Sequence, residues 1–382
     1  MFQHILSIDR EAPPSRGATG TSPAADSCAR PSCVGFAGTV LLALVALSAC
    51  RTAPAHRAEL PDPRPARALA VVFADAPESD PDRARLAEEG ELSEANAAWW
   101  GFDEENSTEY LQAAIDSGVA VLRVPDMGAP WIVEPLELRS NQEIVFENGA
   151  EVLALRGAYR RRGASLFTAR NTENVTLRGY GATLRMWKSD YQRPHYDAGE
   201  WRHTISLHGV DGFEILGLTL LSSGGDGIYV GSGGGDGSTY SSDITVRDVI
   251  ADDHHRQGIS IISVENLLIE NSRFTNTRGT WPQSGIDFEP NRAGERIVNA
   301  VIRNSYFGGN AGVGVLIQLM NLEQDSIPVG ITIEDSVIEH NTLNLSIVGT
   351  HHHPHGTITI RNTPVRGLRW IRPGDNLEVS VE

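Results

Sequence analysis

The sequence predicts an all-β chain coiled into a solenoid, and three observations carry that prediction. Gly227-Ile-Tyr-Val230, Gly258-Ile-Ser-Ile261, Gly285-Ile-Asp-Phe288 and Gly314-Val-Leu-Ile317 are one pattern written four times, at steps of 31, 27 and 29 residues. Self-similarity at such a period marks stacked repeats. A companion pattern interleaves with it: Ile244-Thr-Val246-Arg-Asp248, Leu267-Leu-Ile269-Glu-Asn271, Ala300-Val-Ile302-Arg-Asn304, Ile331-Thr-Ile333-Glu-Asp335 and Ile358-Thr-Ile360-Arg-Asn362. Within every unit apolar and polar residues alternate at period two, as in a strand with one buried face.

Alternation assigns faces. Ile228, Ile259, Ile286, Val315 and Leu345 form one inward column, and Val230, Ile261, Phe288, Ile317 and Ile347 a second. Ser206, Tyr229, Ser260, Asp287, Leu316 and Ser346 then form an outward column. His208, Gly231, Ile262, Glu289, Gln318 and Val348 form another. The Asn or Asp closing each companion unit suits a tight corner, because these residues tolerate left-handed backbone.

With these ladders in view, from about Val175 to Ile360, the chain resembles the right-handed parallel β-helix of the pectate-lyase-like superfamily. That resemblance implies a carbohydrate-active or glycan-binding protein. It does not choose among lyase, hydrolase, epimerase and adhesin.

Taken in order, residues 1–49 read as an export signal. The apolar run Val34–Ala49 is short for a membrane span and ends in small residues. Leu47-Ser-Ala-Cys50 resembles a bacterial lipobox, which implies lipid on Cys50 and a periplasm-facing or cell-surface protein held to a membrane. An uncleaved signal anchor is the alternative. Cys50→Ala is expected to release the protein from membranes; a variant that still fractionates with them as wild type does removes the anchor. All three cysteines, Cys28, Cys33 and Cys50, fall in this part of the chain, so the exported domain has no disulfide and no thiolate nucleophile. Residues 50–96, rich in Pro, Ala, Arg and acids, read as a tether. The β-helix domain is placed at 97–382. It opens with a capping helix announced by Asn106-Ser-Thr-Glu109, with Tyr110, Leu111, Ala114 and Ile115 on one face.

Three insertions interrupt the coils: Met186–Arg202, Gly231–Ser242 and Arg278–Gln283. Insertions in solenoids gather on the binding face, so these are expected to wall a groove along the first-pattern strands. The formal charge is −17, with 32 Lys and Arg against 49 Asp and Glu. This balance argues against nucleic acid and against a strongly basic groove for polyuronates. A monomer acting on a polysaccharide is expected.

Asp287 and Glu289 are the sharpest candidates for chemistry. They lie two apart on one strand, both outward, roughly 7 Å apart, and glycoside hydrolysis needs a carboxyl acid with a carboxylate base or nucleophile. Asp226 and Asp253, at corners entering the same face, join them as catalytic candidates. Candidate substrate contacts from the insertions and corners are Lys188, Tyr191, Trp201, Arg202, His203, His254, His255, Arg256 and Trp281. The outward columns add His208, Tyr229 and Gln318. Asp226-Gly-Ile resembles part of the polygalacturonase Asn-Thr-Asp-Gly-Ile-Asp motif. Tyr229 stands where its second Asp belongs, however, and Arg256-Gln257 replaces the paired Asp of the next coil. A glycoside hydrolase without cofactor is the leading expectation. A polysaccharide lyase, with Ca²⁺ as its possible cofactor, and a non-catalytic glycan-binding β-helix are the alternatives. The His351-His-His-Pro-His355 run brings no partner acids in sequence, so a metal there is not expected.

Overall fold

The computed structural model describes residues 78–382 apart from 235–238, 349–351, 368 and 373. The stretch read as signal peptide, with Cys50 and most of the tether, lies outside the described residues. Three parallel sheets of eleven, nine and eight strands wind around one apolar interior. Through the central coils each sheet takes every third strand, so one turn of chain gives one strand to each sheet. This is the parallel β-helix that the ladders predict.

Pairing follows the predicted register. Ile205, Ile228, Ile259, Ile286, Val315 and Leu345 lie side by side, as do Leu207, Val230, Ile261, Phe288, Ile317 and Ile347. All of these side chains are buried. The glycine that opens each first-pattern unit has a steric reason. A Cβ on Gly227, Gly258, Gly285 or Gly314 would sit 2.5–2.7 Å from a carbonyl oxygen one coil further on.

At the corners, Asp248, Asn271, Asn304, Asp335 and Asn362 have φ of 58°, 53°, 49°, 50° and 47°. These are left-handed values that their short polar side chains tolerate. The hydroxyl that follows most of them stitches neighbouring coils. Ser272 Oγ accepts from Val249 N, Ser305 Oγ from Ser272 N, Ser336 Oγ from Ser305 N and Thr363 Oγ1 from Ser336 N, at 3.1–3.2 Å. Each bond satisfies a buried main-chain donor that the turn takes out of the ladder.

Three expectations need correction near the N-terminus of the fold. Pro81–Glu88 is a helix and Glu94–Asn96 a strand paired with Val121–Val124, so ordered structure reaches back into the stretch read as tether. The capping helix forms at Thr108–Asp116 and buries Leu111, Ala114 and Ile115, but Tyr110 is exposed. Its capping box does not form. Ser107 Oγ donates to Asp103 O instead, and Asn106 Oδ1 accepts from Thr108 N.

Candidate active site

The outward side of the nine-stranded sheet was expected to line an open groove. Instead Ser206, Ser260, Asp287, Leu316 and Ser346 are buried, and Asp287 has no solvent exposure at all. The Met186–Arg202 insertion accounts for part of this cover. Its chain runs against Gly225, where a Cβ would meet Glu200 O at 2.6 Å and Arg202 N at 2.8 Å. Glycine there lets the insertion backbone rest on the corner that carries Asp226.

A charged cluster lies behind this cover, built from three successive coils. Asp226 stands just before the strand Ile228–Gly231, Arg256 just before Gln257–Ile261, and Glu289 just after Ser284–Phe288. Arg256 joins them. Its Nη2 bonds Glu289 Oε2 at 2.7 Å, its Nε approaches Glu200 Oε1 at 3.4 Å, and its Nη1 lies 3.9 Å from Asp226 Oδ1. The Glu200 and Glu289 side chains retain 25% and 12% exposure while Asp226 retains none, so the glutamates form the solvent side and Asp226 the interior. Because Asp226 and Glu289 face nitrogens of one planar guanidinium, the oxygens nearest to it are at most roughly 9 Å apart, a bound that admits both retaining and inverting separations.

Burial pushes the Asp226 carboxyl up to about 7, against the pull of Arg256. Neither of its oxygens has a hydrogen-bond partner. Ser260 Oγ is close enough to lower the pKa somewhat but makes no geometrically complete hydrogen bond. His203 Nδ1 accepts from Asp226 N at 3.0 Å and lies 3.3 Å from Asp226 Oδ2. Burial drives the His203 imidazole well below its ordinary range, so it is neutral. The single lone pair of Nδ1 is taken by Asp226 N, so the ring offers Oδ2 no hydrogen bond.

Asp287 is different. Burial raises its pKa first, and the charge of Glu289 adds to that. Both its oxygens are engaged: Gln257 Nε2 donates to Oδ2 at 2.8 Å, and Gln318 Nε2 lies 3.3–3.4 Å from both. Ser260 is its neighbour in register, as alternation predicts.

The remaining sequence candidates separate into distinct groups. Asp253 lies outside the cluster, at a left-handed corner, bonded by Lys188 and by Ser222 Oγ at 2.7 Å. Arg202 is a structural residue, not a substrate contact. Its buried guanidinium donates to the carbonyls of Tyr159, Gly199, Arg160 and Asp197 at 2.7–3.1 Å, folding the insertion. Tyr191 is likewise buried, packed edge-on against Tyr196. His254 is buried with Nδ1 beside Ser223 Oγ at 2.8 Å, and burial lowers its pKa to about 3. His255 bonds Thr280 Oγ1 at 2.8 Å. Tyr229 stacks on His203, ring centroids 4.9 Å apart, and His208 lies tilted beside it at 5.3 Å. Trp201 and Trp281 are exposed at 40% and 42%, the two insertion tryptophans still available to stack on a sugar.

Sequence reasoning missed Glu200 and Gln257. Gln257 had a signal: the position two before each inward isoleucine reads Asp226, Gln257 and Ser284, polar on three successive coils. Glu200 had none, since it belongs to no repeat. Among the described residues, no three His, Cys, Asp or Glu side chains converge in a metal-holding arrangement.

No protein-family model matches the chain, and no curated protein matches it. Solved structures do. The chain is similar to a family 28 exopolygalacturonase of Yersinia enterocolitica, at 11% identity over 75% of this chain and 77% of that one, TM-score 0.45. It is similar to a polygalacturonase of Erwinia carotovora, at 12% identity over 83% and 100%, TM-score 0.42. A surface adhesin of Streptococcus pneumoniae also matches, at 12% identity over 70% and 89%, TM-score 0.42.

Proposed function

We propose that the protein hydrolyses a polysaccharide, with Asp226 as general acid and Glu289 as general base. The observation that carries the reading is the grip of one arginine on two unlike carboxyls. Asp226 is buried, without hydrogen-bond partners, and its pKa is raised to about 7. Glu289 is ion-paired and partly open to solvent. Acid and base roles follow when the environments of paired carboxyls differ in this way. Asp287, whose oxygens are occupied by Gln257 and Gln318, is a positioning group in this scheme. Asp226 is approached from the side of Glu200 and Glu289, the members of the cluster that retain exposure. Trp201 and Trp281 offer exposed stacking surfaces.

β-Elimination fits less well. Of the groups a lyase could use as base or to neutralise a uronate, Lys188, Arg202, His203, Arg256 and Tyr229, the first two are bound to Asp253 and to main-chain carbonyls and Arg256 is paired with Glu289. Product analysis on a polysaccharide panel tests the proposal. New reducing ends without an absorbing unsaturated uronate are expected. Unsaturated products would replace hydrolysis with elimination, and binding without turnover on every member would make the protein a glycan binder.

A further inference from the structure

We infer that the sugar seated against Arg256 and Asp226 is uncharged, so that the substrate is a neutral glycan and not a polyuronate or a sulfated polymer. This rests on reading the cluster as the cleavage site. The argument is one of charge and of partners. Around Arg256 stand Asp226, Asp287, Glu289 and Glu200: four carboxyls and one guanidinium. Leaving both buried aspartates out of the count, Glu200 and Glu289 still outnumber the single cation. An arginine that recognises a substrate carboxylate or sulfate presents its donors in a fork. Here that fork is already held by Glu289 at 2.7 Å, with Glu200 at 3.4 Å from Nε.

The other basic candidates on this face do not replace it, and Arg170, in register with His208, lies three strands away from the strand that Arg256 opens. Lys188 is bonded to Asp253, and the guanidinium of Arg202 is spread over four carbonyls. His203 and His254 are buried and uncharged, burial and nearby cations lower His255, and burial takes His208 down to about 4. An anionic sugar entering beside Glu200 and Glu289 would therefore lose its hydration and meet two like charges. Like-charge juxtaposition of this kind disfavours binding. A hydroxymethyl group in place of the carboxylate meets no such penalty and can donate to Glu200 or Glu289. Glu200, which belongs to no repeat and touches Arg256 from the insertion, is the residue that sets this preference.

An oligosaccharide array of matched pairs tests the inference at low ionic strength. Each uronate stands beside its carboxyl-reduced hexose, and each sulfated galactan beside its desulfated form. The wild-type protein is expected to bind at least one uncharged member roughly tenfold or more above its charged partner. Equal or stronger signal on the charged partners would overturn the inference, and so would an array with no signal on any uncharged member. Glu200→Gln is the second arm. Removing that charge should move the uronate-to-hexose ratio several-fold toward the uronate, whereas a merely structural Glu200 would weaken both members alike and leave the ratio fixed. Preference on the array without reducing-end release would leave the substrate class standing and remove the hydrolytic reading.

Discussion

Asp226→Asn is expected to lower turnover by roughly 10²–10⁴-fold while leaving binding close to wild type, the range for loss of a positioned general acid. The amide keeps the shape of the carboxyl and carries no proton to deliver. The same variant should be more stable than wild type at pH 8. Folding raises the Asp226 pKa from 3.8 to about 7. Between those values the folded state holds a proton that the unfolded state has released, so stability falls as pH rises and is lowest above about 7. Asparagine removes that penalty, and a denaturation midpoint higher at pH 8 but near wild type at pH 4 would show it. Activity should fall along the same limb, because the acid must be protonated to act. Unchanged turnover in Asp226→Asn would transfer the acid role to Asp287, whose Asn variant is the next to measure. A turnover profile flat across pH 6–8 would separate the raised pKa from catalysis.

The fold was legible because a solenoid repeats its physics. Each inward isoleucine needs an apolar neighbour above and below, and each left-handed corner favours Asn or Asp, so the ladders reveal strands, faces and register together. Outward parity was legible for the same reason, and Asp287 does point away from the interior. Its burial was not. Cover on that face comes in part from the Met186–Arg202 insertion, which packs on Gly225 and Arg256, occurs once and has no period. Nor does anything in the sequence show that Arg202 binds four carbonyls, because main-chain acceptors leave no residue signature. Arg202 therefore looked like a cation for substrate when it is what folds the loop. The Asp226–Arg256–Glu289 cluster was half legible. All three residues were nominated, but Asp226 and Arg256 sit at corners, where strand alternation no longer says which way a side chain turns. Pairing Asp287 with Glu289 by spacing alone thus named one carboxylate held by Arg256 and one that is fully buried beside it.

Phe288→Ala is expected to cost about 3–5 kcal/mol, the usual figure for truncating a fully buried aromatic. Phe288 lies in register between Ile261 and Ile317, and none of the three has solvent exposure. A cavity there cannot close easily, because main-chain hydrogen bonds fix the spacing of the coils on either side. The comparison variant is Trp281→Ala. Trp281 is of similar bulk but 42% exposed on the third insertion, and its loss should change stability by no more than about 0.5 kcal/mol. The site gives the comparison a second use. Phe288 is flanked by Asp287 and Glu289, so a shift of its strand should disturb the Gln257 and Gln318 bonds to Asp287 and the grip of Arg256 on Glu289. Phe288→Ala should therefore lose activity together with stability, while Trp281→Ala should weaken binding at unchanged stability. Equal denaturation midpoints for Phe288→Ala and wild type would mean that this side chain does not face the interior, and the assignment of Asp287 to the outer face would fall with it.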